Sequence, residues 1–83
     1  MNKILNLQRI PLPRYKRNDS VVWLDVDDNG ELIRGGLGTI LGGYFSALGR
    51  YNTDKTLTGW YYYVETGSEE AAEVKEENIM NSV

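Results

Sequence analysis

Cysteine and histidine are both missing from these 83 residues. The first absence removes disulfides, thiolate nucleophiles and every Cys-based metal site, a usage that suits a cytosolic protein. The second removes the commonest general acid/base and the commonest zinc ligand. Long apolar runs are missing as well: nothing approaches the ~18 consecutive residues of a spanning helix, so the expectation is a soluble, cytoplasmic chain with no membrane partner. The opening MNKILNLQRIPLP breaks its apolar residues with Asn6, Gln8 and Arg9 and does not read as a secretory signal.

With 41% hydrophobic and 25% charged residues, what is present fits one small globular domain. A chain this short buries only ~60 to 65% of the surface its unfolded form exposes, so packing has to be efficient. The net charge of −3 is unevenly placed. Residues 1–18 carry Lys3, Arg9, Arg14, Lys16 and Arg17 with no acid, whereas Glu65, Glu69, Glu70, Glu73, Glu76 and Glu77 face Lys75 alone at the other end. This reads as an extended basic arm over 1–18, a domain over 19–80 and a short tail over 81–83.

Pro11 and Pro13 push the residues before them out of helical geometry, which makes residues 10–20 an extended lead-in. VVWLDV, residues 21–26, is β-branched and aromatic, with Val22, Leu24 and Val26 forming one apolar face and Trp23 the other. Asn29-Gly30 supplies a tight turn. In GGLGTILGGYFSALGRY, residues 35–51, glycines stand at 35, 36, 38, 42, 43 and 49. Each costs a helix ~1 kcal/mol relative to alanine, so the stretch is sheet, with a bend at Gly35-Gly36 and a strand in LGTIL. Residues 45–59 read as a long loop or short hairpin arm. WYYYVE, residues 60–65, is the clearest strand, placing Trp60, Tyr62 and Val64 on one face and Tyr61 and Tyr63 on the other. After a turn at Gly67-Ser68, residues 69–80 suit either a helix or a strand, one helical turn and a closing residue. The fold class is therefore all-β: a small antiparallel barrel of about five strands, since closing the sheet removes its exposed edges.

Motifs for chemistry are weak. DVDDNG, residues 25–30, opens like a calcium loop, but the twelfth position is Gly36 rather than a carboxylate, and a strand precedes it. Gly36, Gly38 and Gly42 approximate a dinucleotide fingerprint without the helix it requires, and no Lys-Ser/Thr pair follows them. No metal or cofactor is expected. Carboxylate catalysis needs a cleft that raises one pKa, and a small barrel offers none, so the chain is expected not to be an enzyme.

The aromatic residues are the remaining signal. Nine of them, at 15, 23, 44, 45, 51, 60, 61, 62 and 63, exceed what a small barrel can turn inward. Exposed tyrosine and tryptophan act as binding anchors through large, rigid area and a polar tip.

The order of segments resembles a bacterial or phage SH3-like barrel. RNDSVVWLD resembles its polar lead and first strand, GGLGTILGG a glycine-bearing second strand, GWYYYVE the long central strand and AEVKEENI the closing strand with a short helical turn. The Ala-Leu-Tyr-Asp-Tyr stretch and paired tryptophans of signalling SH3 domains are absent, so their proline-rich specificity does not transfer. The resemblance implies a non-catalytic binding module.

The leading expectation is occupancy of a partner protein, as an accessory subunit or a small phage-type inhibitor working in the host cytoplasm, through Tyr44, Phe45, Tyr51, Trp23, Tyr61 and Tyr63. One alternative is a nucleic-acid binder in which Arg14, Lys16 and Arg17 hold phosphates while tyrosines stack on bases. Another is a small-ligand pocket between the aromatics and the long loop. Homo-oligomerisation is compatible with each of these.

Overall fold

The computed structural model describes residues 10–47 and 58–82. Among these residues the fold is all-β, with five antiparallel strands in one sheet: β1 (Ser20–Val26), β2 (Leu32–Ser46), β3 (Gly59–Glu65), β4 (Ala72–Lys75) and β5 (Ile79–Asn81). A 3-10 turn, Glu76–Asn78, separates β4 from β5. The spatial order is β4-β3-β2-β1-β5, so the two edge strands are neighbours in the chain. The 69–80 segment thus takes the strand, turn and closing-strand form.

Strand β2 organises the sheet. Its residues 32–39 pair with β1 and its residues 39–46 with β3, and Thr39 is shared, opposite Ser20 on one side and Glu65 on the other. The expected bend at Gly35-Gly36 does not interrupt it. The irregularities lie between Asp25 and Val26 in β1 and between Ile40 and Gly42 in β2, the latter placing Leu41 at the extra position of a bulge.

Turns follow the local chemistry. Gly30 adopts φ 80° and its N–H donates to the Asp27 carbonyl, while the Asp27 carboxylate accepts the N–H groups of Asn29 and Glu31, each at 2.9 Å. The carboxylate at the centre of the calcium-like motif therefore serves the hairpin turn. Before β1, the Asp19 carboxylate accepts the Lys16 N–H, and Asn18 at φ 77° turns the chain so that its own N–H reaches the Ile40 carbonyl. Asparagine tolerates this left-handed geometry better than most residues.

The core comprises Tyr15, Val21, Trp23, Ile40, Tyr62, Val64, Ala72, Val74 and Ile79, with Trp60 packed against it. Two expectations change here. Trp23, expected on the outer face, is only 4% exposed, while Val22, Leu24 and Val26 are half-buried on the other side. Strand β1 alternates as expected but with the opposite phase, because Val21 with Trp23 brings more apolar area inward than the smaller aliphatic set. Tyr15 belongs to the core although it precedes the first strand: its ring meets Tyr62 edge-on at 5.5 Å, and its hydroxyl donates to the Ile79 carbonyl at 2.8 Å.

Candidate functional site

Strand alternation and register assemble a tyrosine face on the side of the sheet away from the core. Tyr44 on β2 lies directly opposite Tyr61 on β3, and the two rings stack at 5.4 Å with 12° between planes. Tyr63, two residues along β3, tilts onto Tyr44 at 5.9 Å. Glu73 on β4 opposes Tyr63 and accepts a 2.5 Å hydrogen bond from the Tyr44 hydroxyl, reaching across the intervening strand. Lys75 opposes Tyr61 and sits 3.3 Å from Glu77. Tyr44 and Tyr63 remain 38% and 44% exposed, a large fraction for rings locked by their neighbours.

The candidate binding residues separate into groups. Tyr44, Tyr61 and Tyr63 come together as expected. Phe45 does not join them: one residue on from Tyr44, it leaves β2 on the opposite side and meets Trp60 edge-on at 5.7 Å. Trp23 lies in the core, with the Arg34 guanidinium 5.5 Å from its ring centre and Asp25 bound to that guanidinium at 3.1 Å. This removes Trp23 from the exposed set, for the packing reason given above. Tyr51 is outside the described residues. Arg14, Lys16 and Arg17 are exposed, but Arg14 is anchored through its backbone on Tyr62, whose side chain leaves β3 on the side away from Tyr61 and Tyr63. Among the described residues, no group of three or more acids is arranged to hold a metal ion, and no helix is long and apolar enough to cross a membrane.

Two features are absent from the sequence reading. One is an exposed apolar row across three strands, in which Leu37 opposes Val22 and Val22 opposes Met80; Leu37 is 72% exposed. The second is a polar strap on the other side of the sheet. The Trp60 indole N–H donates to the Pro11 carbonyl at 2.7 Å, the Tyr62 hydroxyl accepts the Arg14 and Tyr15 N–H groups at 3.1 and 3.4 Å, and the same hydroxyl donates to Glu76 at 2.6 Å. The only sequence signal for it is the pair of prolines that holds residues 10–14 extended.

Two phenols are perturbed. Tyr44 is pushed up to about 12, chiefly by the hydrogen bond it donates to Glu73 and then by loss of solvent. Tyr62 is pushed up to about 12, first by burial and then by its bond to Glu76. A phenol whose folded pKa exceeds its unfolded value of ~10 adds stability that is fully present below pH ~10 and is lost as pH rises toward ~12. Unfolding free energy is therefore expected to decline across that window, by roughly 1 to 3 kcal/mol from Tyr62. Urea titrations at stepped alkaline pH, alongside tyrosinate absorbance, check this; a Tyr62→Phe chain with the same alkaline decline would exclude Tyr62 as its source.

Comparison with protein-family models, with curated proteins and with solved structures finds no match for this chain.

Proposed function

We propose that the chain is a small SH3-like barrel that acts as a non-catalytic protein-binding module in the cytoplasm, docking through the Tyr44-Tyr61-Tyr63 face. The observation that carries this reading is the stack itself. Three large rings lie together outside the core, with their torsions already restrained by one another, so little side-chain entropy is lost when a partner covers them. Such rings supply the greatest contact area per restrained torsion, which is why they concentrate binding energy at interfaces. The barrel reading is supported by edge strands β4 and β5, which only three residues separate although they end opposite sides of the strand order.

Charge points to the kind of partner. Glu73 is bonded within the face, and Glu65 lies on β3 two residues beyond Tyr63. A partner surface bearing arginine or lysine would meet both the carboxylates and the negative π-faces of the rings. The module would act by occupying that partner, as an accessory subunit or a small inhibitor does.

Tyr61→Ala and Tyr63→Ala are each expected to weaken capture of the partner by about thirtyfold, the consequence of losing ~2 kcal/mol at an interface anchor. Quantitative pull-down with the unsubstituted chain and with both variants, each first shown to retain its fold, provides the measurement. Equal capture by all three chains would remove the site. Release of captured material by nuclease, with a steep loss at moderate salt, would favour nucleic acid instead.

A further inference from the structure

Strand β2 changes partners along its length, and the change leaves part of it paired on one side only. Its residues 32–39 pair with β1, whereas β3 joins the other side only from Thr39 onward, ending there at Glu65. Over residues 32–38 no strand among the described residues lies on the β3 side. The ladder shows which main-chain groups face that side. Ile40 turns its N–H and carbonyl toward β1, where they meet Asp19 and Asn18, and peptide groups alternate in direction along a strand. Gly38 and Gly36 therefore also face β1, while Gly35 and Leu37 aim their N–H and carbonyl groups at the unpaired side. Leu32 to Leu37 are all exposed, and at Gly35 and Gly36 the exposed surface is the main chain itself. Unpaired edges are ordinarily blunted by lysine, proline or bulky charge, and residues 35–37 carry none of these.

The surroundings define what such an added strand would carry. On the outer face it would meet Leu37 and, across the side-chain-free Gly35, Leu24, which lies 3.0 Å from where a Cβ at Gly35 would stand. Val22 and Met80 continue the apolar row behind Leu37. Charge marks the two ends: Asp27, Asp28 and Glu31 are exposed at the hairpin turn, Glu65 is exposed where β3 stops, and the Arg34 guanidinium between them is held by Asp25. A cleft lined by Leu37, Gly38, Thr39, Glu65, Thr66 and Gly67 lies at the Glu65 end and leaves room for a flanking side chain. A second copy of this chain fits poorly. Paired by a two-fold axis through Gly35, each Glu31 would come opposite Thr39 of the other copy, where Glu65 already sits, acid upon acid.

We propose that the β2 edge at residues 35–37 accepts, as an added strand in line with β3, an extended segment of another protein with alternating apolar residues flanked by lysine or arginine. Main-chain hydrogen bonds hold it, the Leu37-Leu24 surface selects its apolar side chains, and the acids at either end select its flanks. Proline is excluded from the positions opposite Gly35 and Leu37, because it lacks the N–H that must reach their carbonyls. No aromatic ring takes part, so the site is separate from the tyrosine face, and Tyr61→Ala is expected to leave it unchanged.

The probe is the synthetic peptide Lys-Val-Thr-Val-Thr-Val-Lys, capped at both ends and added to the isotope-labelled full chain, with NMR as the readout. In the free chain the Gly35 and Leu37 amides are expected to exchange rapidly with solvent, and saturating peptide is expected to slow them at least tenfold. Leu37→Lys, a change at an exposed position, is expected to weaken binding by about tenfold through the lost apolar contact and the added positive charge. Two altered peptides separate main-chain pairing and charge from mere stickiness. One is N-methylated at its valines, the residues that would exchange hydrogen bonds with Gly35 and Leu37, and the other carries glutamate in place of both lysines. Each is expected to bind at least tenfold more weakly. The proposal is overturned if millimolar peptide leaves the Gly35 and Leu37 exchange rates unchanged, or if either altered peptide binds as well as the parent. It is also overturned if the free chain already protects these two amides as strongly as that of Val64, or if sedimentation shows self-association that Leu37→Lys abolishes, which would make a second copy the occupant. The exchange measurement needs no substitution, so it stands whatever the variant does to the fold.

Discussion

Trp23→Ala is expected to be the most damaging truncation in β1, removing about 3 to 5 kcal/mol of stability. The indole is 4% exposed at the middle of β1, where that strand is paired on both sides, with Gly36 opposite it on β2 and Ile79 on β5. Truncating a buried tryptophan costs about 3 to 5 kcal/mol through lost apolar burial and the cavity left behind. A domain of this length has a total stability of only roughly 4 to 12 kcal/mol. Val22→Ala, one residue away on the half-buried side, is expected to cost about 1 kcal/mol or less. Trp23→Phe should fall between them: it also opens space, but it removes an indole N–H that is buried with no hydrogen-bond partner among the described residues, an uncompensated polar group that itself carries a penalty. Urea unfolding of the three variants gives the ranking. If Val22→Ala were the more damaging substitution, the inward face of β1 would be the opposite one.

That comparison also shows what could be read from the residues alone. Periodicity established that β1 is a strand and that its faces differ, but not which face turns inward. A seven-residue strand with Val21, Val22, Trp23, Leu24 and Val26 is apolar on both sides, and its phase is set by the strands it meets. In β3 the phase was legible, because Tyr62 and Val64 lie on one face with Trp60, and Tyr61 and Tyr63 share the other with glutamate. The Tyr44-Tyr61-Tyr63 grouping followed only in part. Tyr44 and Phe45 are both candidate anchors by residue type, yet adjacent residues of a strand leave it on opposite sides. The bulge at Leu41 was also invisible, although it sets the register that brings Tyr44 opposite Tyr61. The strap was the least legible feature, since its bonds join residues 48 and 49 positions apart and involve main-chain atoms that every residue possesses.

Gly38→Ala is the second substitution with a large expected effect, although it adds only one methyl group. At Gly38 strand β2 passes from its pairing with β1 to its pairing with β3, and the backbones approach too closely for a side chain. A Cβ there would overlap the Val64 side chain, stand 2.7 Å from the Glu65 carbonyl oxygen and lie 3.2 Å from the Trp23 ring. Val64 and Trp23 are themselves in the core, and a carbonyl engaged in a sheet has little room to move, so relief requires β3 to shift relative to β1. Overpacking commonly costs about 1 to 3 kcal/mol and more where backbone must move, so a loss of about 3 kcal/mol is expected here. Gly42→Ala, four residues along the same strand, provides the contrast. A Cβ at Gly42 meets nothing within 4 Å, and its backbone is not in the left-handed region. That change is expected to be neutral or to stabilise by up to about 1 kcal/mol, through reduced freedom of the unfolded chain. Opposite signs for two Gly→Ala changes in one strand, measured by urea unfolding, would locate the constraint in the space between β1 and β3. Equal losses would place it in the conformation of β2 itself.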